Sequence, residues 1–187
     1  MYIVGLSGKS GHGKDYIAKI MQDLWGYYPL PLSLQVKIDA ISKFGATYEE
    51  VFITKPPHIR ELLQKIGTDN GRDFYGKDMW INATYAFAQW ANDVWGINKF
   101  VLPDIRFANE LQFLKQTENF VIRIIADEKI RTKFGLKGPA AHHSSEIELD
   151  NTPFDQFDGI IYNQFDNRED VQDQLEVILT NLTKVKL

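Results

Sequence analysis

The first twenty-one residues constrain this chain more than any other stretch. Tyr2-Ile3-Val4-Gly5-Leu6-Ser7 is apolar and β-prone, the pattern of a short buried strand. It runs directly into Gly8-Lys9-Ser10-Gly11-His12-Gly13-Lys14, and Asp15 to Met21 then reads as a helix. Strand, glycine-rich loop, lysine and helix in that order form the context of a phosphate-binding loop. Gly8, Gly11 and Gly13 let the backbone turn and approach a ligand closely. Successive N–H groups then face phosphate oxygens, and the helix N-terminus adds its positive dipole end. Lys14 is placed to bridge β- and γ-phosphates as a point charge. A protonated His12 within the loop would add further positive charge. The usual pattern has Ser or Thr after the lysine as a Mg²⁺ ligand. Here Asp15 stands there, an oxygen donor able to bind the metal directly or through water. The plainer alternative is a glycine-rich strand–helix turn with Asp15 as a first-turn acid favourable to the helix dipole.

A chain of 187 residues is most simply one domain, able to bury about 70% of its unfolded surface. A net charge of −4 disfavours a nucleic-acid polymer as partner and leaves small molecules. With no cysteine there are no disulfides and no thiolate-ligated zinc, which is compatible with a reducing cytoplasm. The opening MYIVGLSGK is too short an apolar run for a secretion signal, and no run suggests a membrane span.

Ser33 is placed to N-cap a helix over Leu34 to Phe44, with Gly45 as its stop. Thr47 with Glu50 three residues on predicts a capped short helix to Phe52. Pro56-Pro57 reset the chain. Ile59, Leu62, Leu63 and Ile66 predict a helix that Gly67 ends, and Gly67 to Arg72 reads as a loop. Residues 77–95 are apolar or aromatic almost all round, which predicts a buried helix. Phe100 to Asp104 is an apolar strand ending in an acid, a position from which Asp104 would handle Mg²⁺ or its water. A helix from Asn109 to Thr117, a strand from Phe120 to Ile125, a polar excursion from Asp127 to His143, a strand from Gly159 to Tyr162 and an amphipathic helix from Arg168 to Lys184 complete the order. Strands alternating with helices imply a mostly parallel sheet covered on both faces.

Five arginines, Arg60, Arg72, Arg106, Arg123 and Arg131, fall where a guanidinium fork could meet phosphate. Arg106 leaves the same strand edge as Asp104, Arg131 lies where a lid would be, and Arg123 is the weakest candidate. Phe74, Tyr75 and Trp80 could flank a base, Trp80 best. His142-His143-Ser144-Ser145-Glu146 superficially suggests a metal site. Two adjacent histidines lack a third ligand at helical spacing, so a loop entering a helix cap is the better reading.

Several stretches together carry a family likeness: the loop ending Gly-Lys-Asp, SLQVKIDAISKFG, IRELLQKIGTDNGRDFYGKDMWI, LPDIRFANE, HHSSE and IIYN. In that order they resemble the deoxynucleoside monophosphate kinases of tailed bacteriophages, a branch of the P-loop nucleoside monophosphate kinases. The resemblance implies an α/β three-layer sandwich with a five-stranded sheet of order 2-3-1-4-5. It also implies a substrate-binding helical region (about 34–96) and a lid (about 127–143). It implies Mg²⁺-dependent transfer of the ATP γ-phosphoryl group to a deoxynucleoside monophosphate, in host cytoplasm if phage-encoded; a homodimer is compatible with it. By position, Gly8, Gly11, His12, Gly13, Lys14, Asp15 and Tyr16 would hold ATP, and Asp15 and Asp104 the metal. Lys37, Arg60, Arg72 and Trp80 would face the monophosphate. Lys14, Asp104, Arg106 and the lid residue Arg131 would act in transfer. His12 and Tyr16 depart from the family's usual residues, and Ala126 stands where it tends to have an arginine. The rivals are another small-molecule kinase, such as a phosphomevalonate-type enzyme, and a non-catalytic NTP-binding regulatory module.

Overall fold

The computed structural model describes residues 1–127, 143–164 and 167–185. Strands β1 (Tyr2–Ser7), β2 (Tyr28–Pro29), β3 (Lys99–Ile105), β4 (Phe120–Ala126) and β5 (Gly159–Asn163) form one sheet of order β2-β3-β1-β4-β5. Every pairing in it is parallel. The expected order is therefore the observed one. Alternation along each strand divides the core. Ile3, Phe100, Leu102 and Val121 face helices α5 (Met79–Trp95) and α6 (Ala108–Gln116). Val4, Val101, Ile122 and Ile161 face α1 (Lys14–Trp25) and α8 (Arg168–Val185). This is the three-layer sandwich. Gly5 is where β1 and α6 meet most closely: a Cβ there would lie 2.7 Å from side-chain carbons of both Ile105 and Leu114.

A third apolar cluster lies outside those layers. Val36 and Ala40 on α2 (Leu34–Phe44) pack with Ile59 and Ile66 on α3 (Pro57–Gly67), with Val51 and with Trp80. Gly45 closes α2 at φ 73°, as expected. Ser33 makes no side-chain cap; its backbone N–H is bonded to Asp104 instead. Two expectations here need correction. The Thr47–Glu50 capping box forms, but the turn it starts, Glu49–Thr54, is π-helical. The segment read as a loop is a second π-helical turn, Thr68–Arg72, followed by the single turn α4 (Asp73–Tyr75). Gly71 is required within it, because a Cβ would lie 2.6 Å from the Trp80 ring.

Helix α5 is not buried all round. Trp80, Ile81, Ala88 and Ala91 are, whereas Phe87, Trp90, Val94 and Trp95 lie on an exposed face. Trp90 and Trp95 pack edge to face at 4.4 Å, covering part of each other's surface. Among the described residues no helix is long and apolar enough to cross a membrane.

Candidate active site

The loop after β1 is shaped by two glycines. Gly8 passes so close to the end of β4 that a Cβ would lie 2.7 Å from the Ile124 carbonyl oxygen. Gly13, at φ 89°, sits at the N-cap of α1 with no side-chain cap. The first-turn N–H groups are thus left to a ligand, and an anion is what they favour. Lys14 folds back across the loop and donates from Nζ to the Gly8 carbonyl (2.7 Å) and the Lys9 carbonyl (3.0 Å).

His12 does not play the part expected of it. Its Nδ1 donates to the Ile124 carbonyl at 2.9 Å, and its own carbonyl accepts from Asn163 Nδ2 at 2.9 Å. The buried imidazole ties the loop to the ends of β4 and β5 and does not line the cavity beside it. Tyr16 likewise packs against the sheet core.

That cavity, about 470 Å³, gathers most of the candidates. Gly11, Gly13, Lys14 and Asp15 line one part of it, and Lys37, Arg60, Arg72 and Trp80 another, with Asp104 and Arg106 also in its wall. Asp15 is exposed, and its carboxylate has no partner among the described residues. Asp104 accepts the Leu32 N–H (2.8 Å) and the Ser33 N–H (3.0 Å), one on each oxygen, pinning the entry of α2 to the end of β3. Arg131 and His142 lie outside the described residues, as does nearly all of the expected lid.

Arg106 is held from three sides. Its backbone N–H donates to Glu110 Oε2 at 2.8 Å, and Nη1 donates to the Ser145 carbonyl at 3.2 Å and to Glu146 Oε1. Burial opposes its charge, but Glu146 and Asp104 beside it outweigh that and raise its pKa. Glu146 also accepts the Ser10 N–H of the phosphate loop at 3.1 Å. It stands on the short helix α7 (Ser144–Ile147), whose N-cap His143 accepts the Ser145 N–H. The cap reading of that motif therefore holds, and the chemically placed residue in it is the glutamate.

Not every cation is available. Arg72 is spent on Glu110 (3.1 Å) and Asn109 (2.7 Å) and lies flat over the Phe107 ring, 3.6 Å from its centroid. Arg123 donates to Ser7 Oγ, faces Asp150 and is turned away from the cavity. Trp80 Nε1 donates to the Gly67 carbonyl at 2.8 Å. By contrast, Lys37 and Lys55 line the cavity with no carboxylate ion-paired to them among the described residues, and Arg60 donates from Nε to the Lys55 carbonyl. Lys55 went unread in the sequence. It is one of two non-glycine residues with positive φ (45°) among the described residues, a backbone state that costs a lysine energy its surroundings must offset. Glu110, four residues beyond Arg106 and a partner for it at the helix start, is buried and accepts the Arg106 and Phe107 N–H groups besides Arg72; burial pushes its carboxyl up to about 7 against those donors.

Burial, then the neighbouring Arg106, pulls the Lys14 ammonium down to about 8. The sign follows. An unfolded lysine stays protonated to about 10.4, so stability gained from deprotonation grows as pH rises through 8. A polyphosphate at Nζ favours the charged form instead. Nucleotide binding should therefore take up nearly one proton at about pH 9 and almost none at about pH 7, with affinity falling between them. Calorimetric titrations in buffers of different ionisation enthalpy read this directly.

No family model matches the chain. A protein of Acanthamoeba polyphaga mimivirus, provisionally named a deoxynucleotide monophosphate kinase, is 26% identical over 170 residues, spanning 80% of this chain and 82% of that one. Shikimate kinase from Acinetobacter baumannii, solved with shikimate, superposes with a TM-score of 0.55 at 18% identity, covering 97% of this chain and 94% of that one. The fold is that of the P-loop kinases. Shikimate kinase from Bacteroides thetaiotaomicron agrees, with a TM-score of 0.51 at 13% identity over 97% and 98% of the two chains.

Proposed function

We propose that this protein transfers the γ-phosphoryl group of ATP to the phosphate of a deoxynucleoside monophosphate. One observation carries the reading: a single cavity joins a phosphate loop to a second set of cations, with Arg106 in its wall. Burial is the main cause that lowers the pKa of both Lys14 and Lys37; Arg106 adds to it and Asp104 opposes it in each. Two anionic substrates fit such a layout better than one. The name borne by the mimiviral relative supports a nucleotide as acceptor.

The chemistry asked of the chain is alignment and charge neutralisation. An acceptor phosphate is already an oxyanion and needs no strong base. Loop N–H groups and Lys14 hold the donor's phosphates, while Lys37, Lys55 and Arg60 hold the acceptor's. Arg106 lies where repulsion between the two is greatest. The donor set suits Mg²⁺, which keeps several waters and takes one or two carboxylates besides substrate phosphates. Asp15, with its unpartnered carboxylate, would hold it, and Asp104, whose oxygens already accept N–H groups, would act through water. When bound, the ion would neutralise phosphate charge.

Purified protein with ATP, Mg²⁺ and each nucleoside monophosphate, resolved by chromatography, tests this. Deoxynucleoside diphosphates are the expected products, with kcat/KM for ribose analogues lower by about 10-fold or more, as for a pocket that leaves a 2′-hydroxyl crowded or unpaired. Equal use of both sugars removes the deoxy preference. ATP hydrolysis with no acceptor phosphorylated removes the assignment.

A further inference from the structure

We propose that Glu146 is an internal competitor of the donor's terminal phosphoryl group and so sets how well the site tells ATP from ADP. The inference rests on the phosphate-loop reading above. Glu146 Oε2 takes the Ser10 N–H at 3.1 Å, while Oε1 takes Arg106 Nη1. An N–H of the phosphate loop and a guanidinium are the donors a phosphoryl oxygen would use. The carboxylate is only 6% exposed, so water screens it little, and its charge also reaches Lys14. One N–H cannot serve two anions fully, and a buried carboxylate repels a phosphate placed beside it. A phosphoryl group reaching Ser10 and Arg106 must therefore take Glu146's place.

The exchange can be local. Helix α7 has a mooring that does not involve Glu146 or Arg106, Glu148 Oε1 accepting the Ala108 N–H at 2.9 Å. Glu146 can turn away while its backbone stays. Ser10 lies three residues before Gly13, and so before the first-turn N–H groups of α1 that follow it. A diphosphate held by those first-turn N–H groups leaves the Glu146 contacts intact. A triphosphate does not. Glu146 thus weakens ATP without weakening ADP, which narrows any preference for ATP and leaves Arg106 paired until a triphosphate arrives.

The test is equilibrium binding, without turnover, of ATP, ADP, tripolyphosphate and pyrophosphate to the wild type, Glu146→Gln and Glu146→Ala. Removing the charge should tighten ATP and tripolyphosphate by about 10-fold, the worth of one regained charge-assisted hydrogen bond, and change ADP and pyrophosphate less than about two-fold. Thermal melting confirms that each variant is folded. Should both variants fold and keep the wild-type ATP-to-ADP ratio, or weaken ATP, the exchange is overturned and Glu146 only braces Arg106. That result leaves the kinase reading standing if the wild type still phosphorylates its acceptor. Wild-type protein that binds neither nucleotide overturns both.

Discussion

Arg106→Lys should lower kcat by about 10³-fold or more, with ATP affinity changed by less than about three-fold. Arginines that meet transferred phosphoryl groups are worth about 10³–10⁵ in rate in comparable sites. The structure gives two reasons to expect that scale here. Arg106 lines the same cavity as Lys14 and Lys37, and its charge reaches each of them. Charge shared between donor and acceptor exists only in the transition state, so a guanidinium bridging them stabilises that state above either ground state. Lysine keeps the charge and loses the fork. It cannot hold the α7 segment and two phosphates from one nitrogen. A plainer role for Arg106 is to pair with Glu110 at the start of α6, but Glu110 binds the Arg106 backbone N–H, which lysine retains. If the variant melts like the wild type and keeps most of its kcat, Arg106 is a structural link to α7 and no more.

What the sequence made legible follows a physical division. Features written locally could be read. The β1–loop–α1 unit needs only an apolar run, glycines and a lysine in order, and α2 is bounded by Gly45. The π-helical turn at 68–72 could not be read, because the Trp80 ring packed on Gly71 decides it, and that contact belongs to the fold. Helix 79–95 misled for a related reason: an all-round apolar pattern does not say which face meets the sheet, and the face bearing Trp90 and Trp95 does not. In the site, residue type marked the cations but not their availability. Lys37 remains open to the cavity, while Arg72 is committed to Glu110 and Asn109. The acids were hardest. Glu146 gains its meaning from Ser10, 136 positions earlier, and no local pattern carries that. The adjacent histidines in the same motif drew attention to metal chemistry, whereas His143 is a helix cap.

Lys14→Met should reduce kcat/KM by at least about 10²-fold, the scale of losing one preorganised group that stabilises developing charge. The harder question is whether such a loss reports chemistry or collapse of the loop, since Nζ also bonds the Gly8 and Lys9 carbonyls. Two effects oppose each other in the unliganded fold. Losing those bonds is unfavourable. Removing a charge from a position only 7% exposed is favourable, as its pKa of about 8 records. Methionine keeps the length and apolar stem of lysine, so packing around α1 is preserved. The melting temperature should therefore stay close to that of the wild type while activity falls, and ATP should lose the thermal stabilisation it gives the wild type. The proton uptake expected at about pH 9 should shrink with it, what remains coming from Lys37, whose pKa burial also lowers. A large fall in melting temperature would show that Lys14 mainly closes the loop on itself. Turnover near that of the wild type would remove the phosphate-loop assignment, and every role placed around it would have to be assigned again.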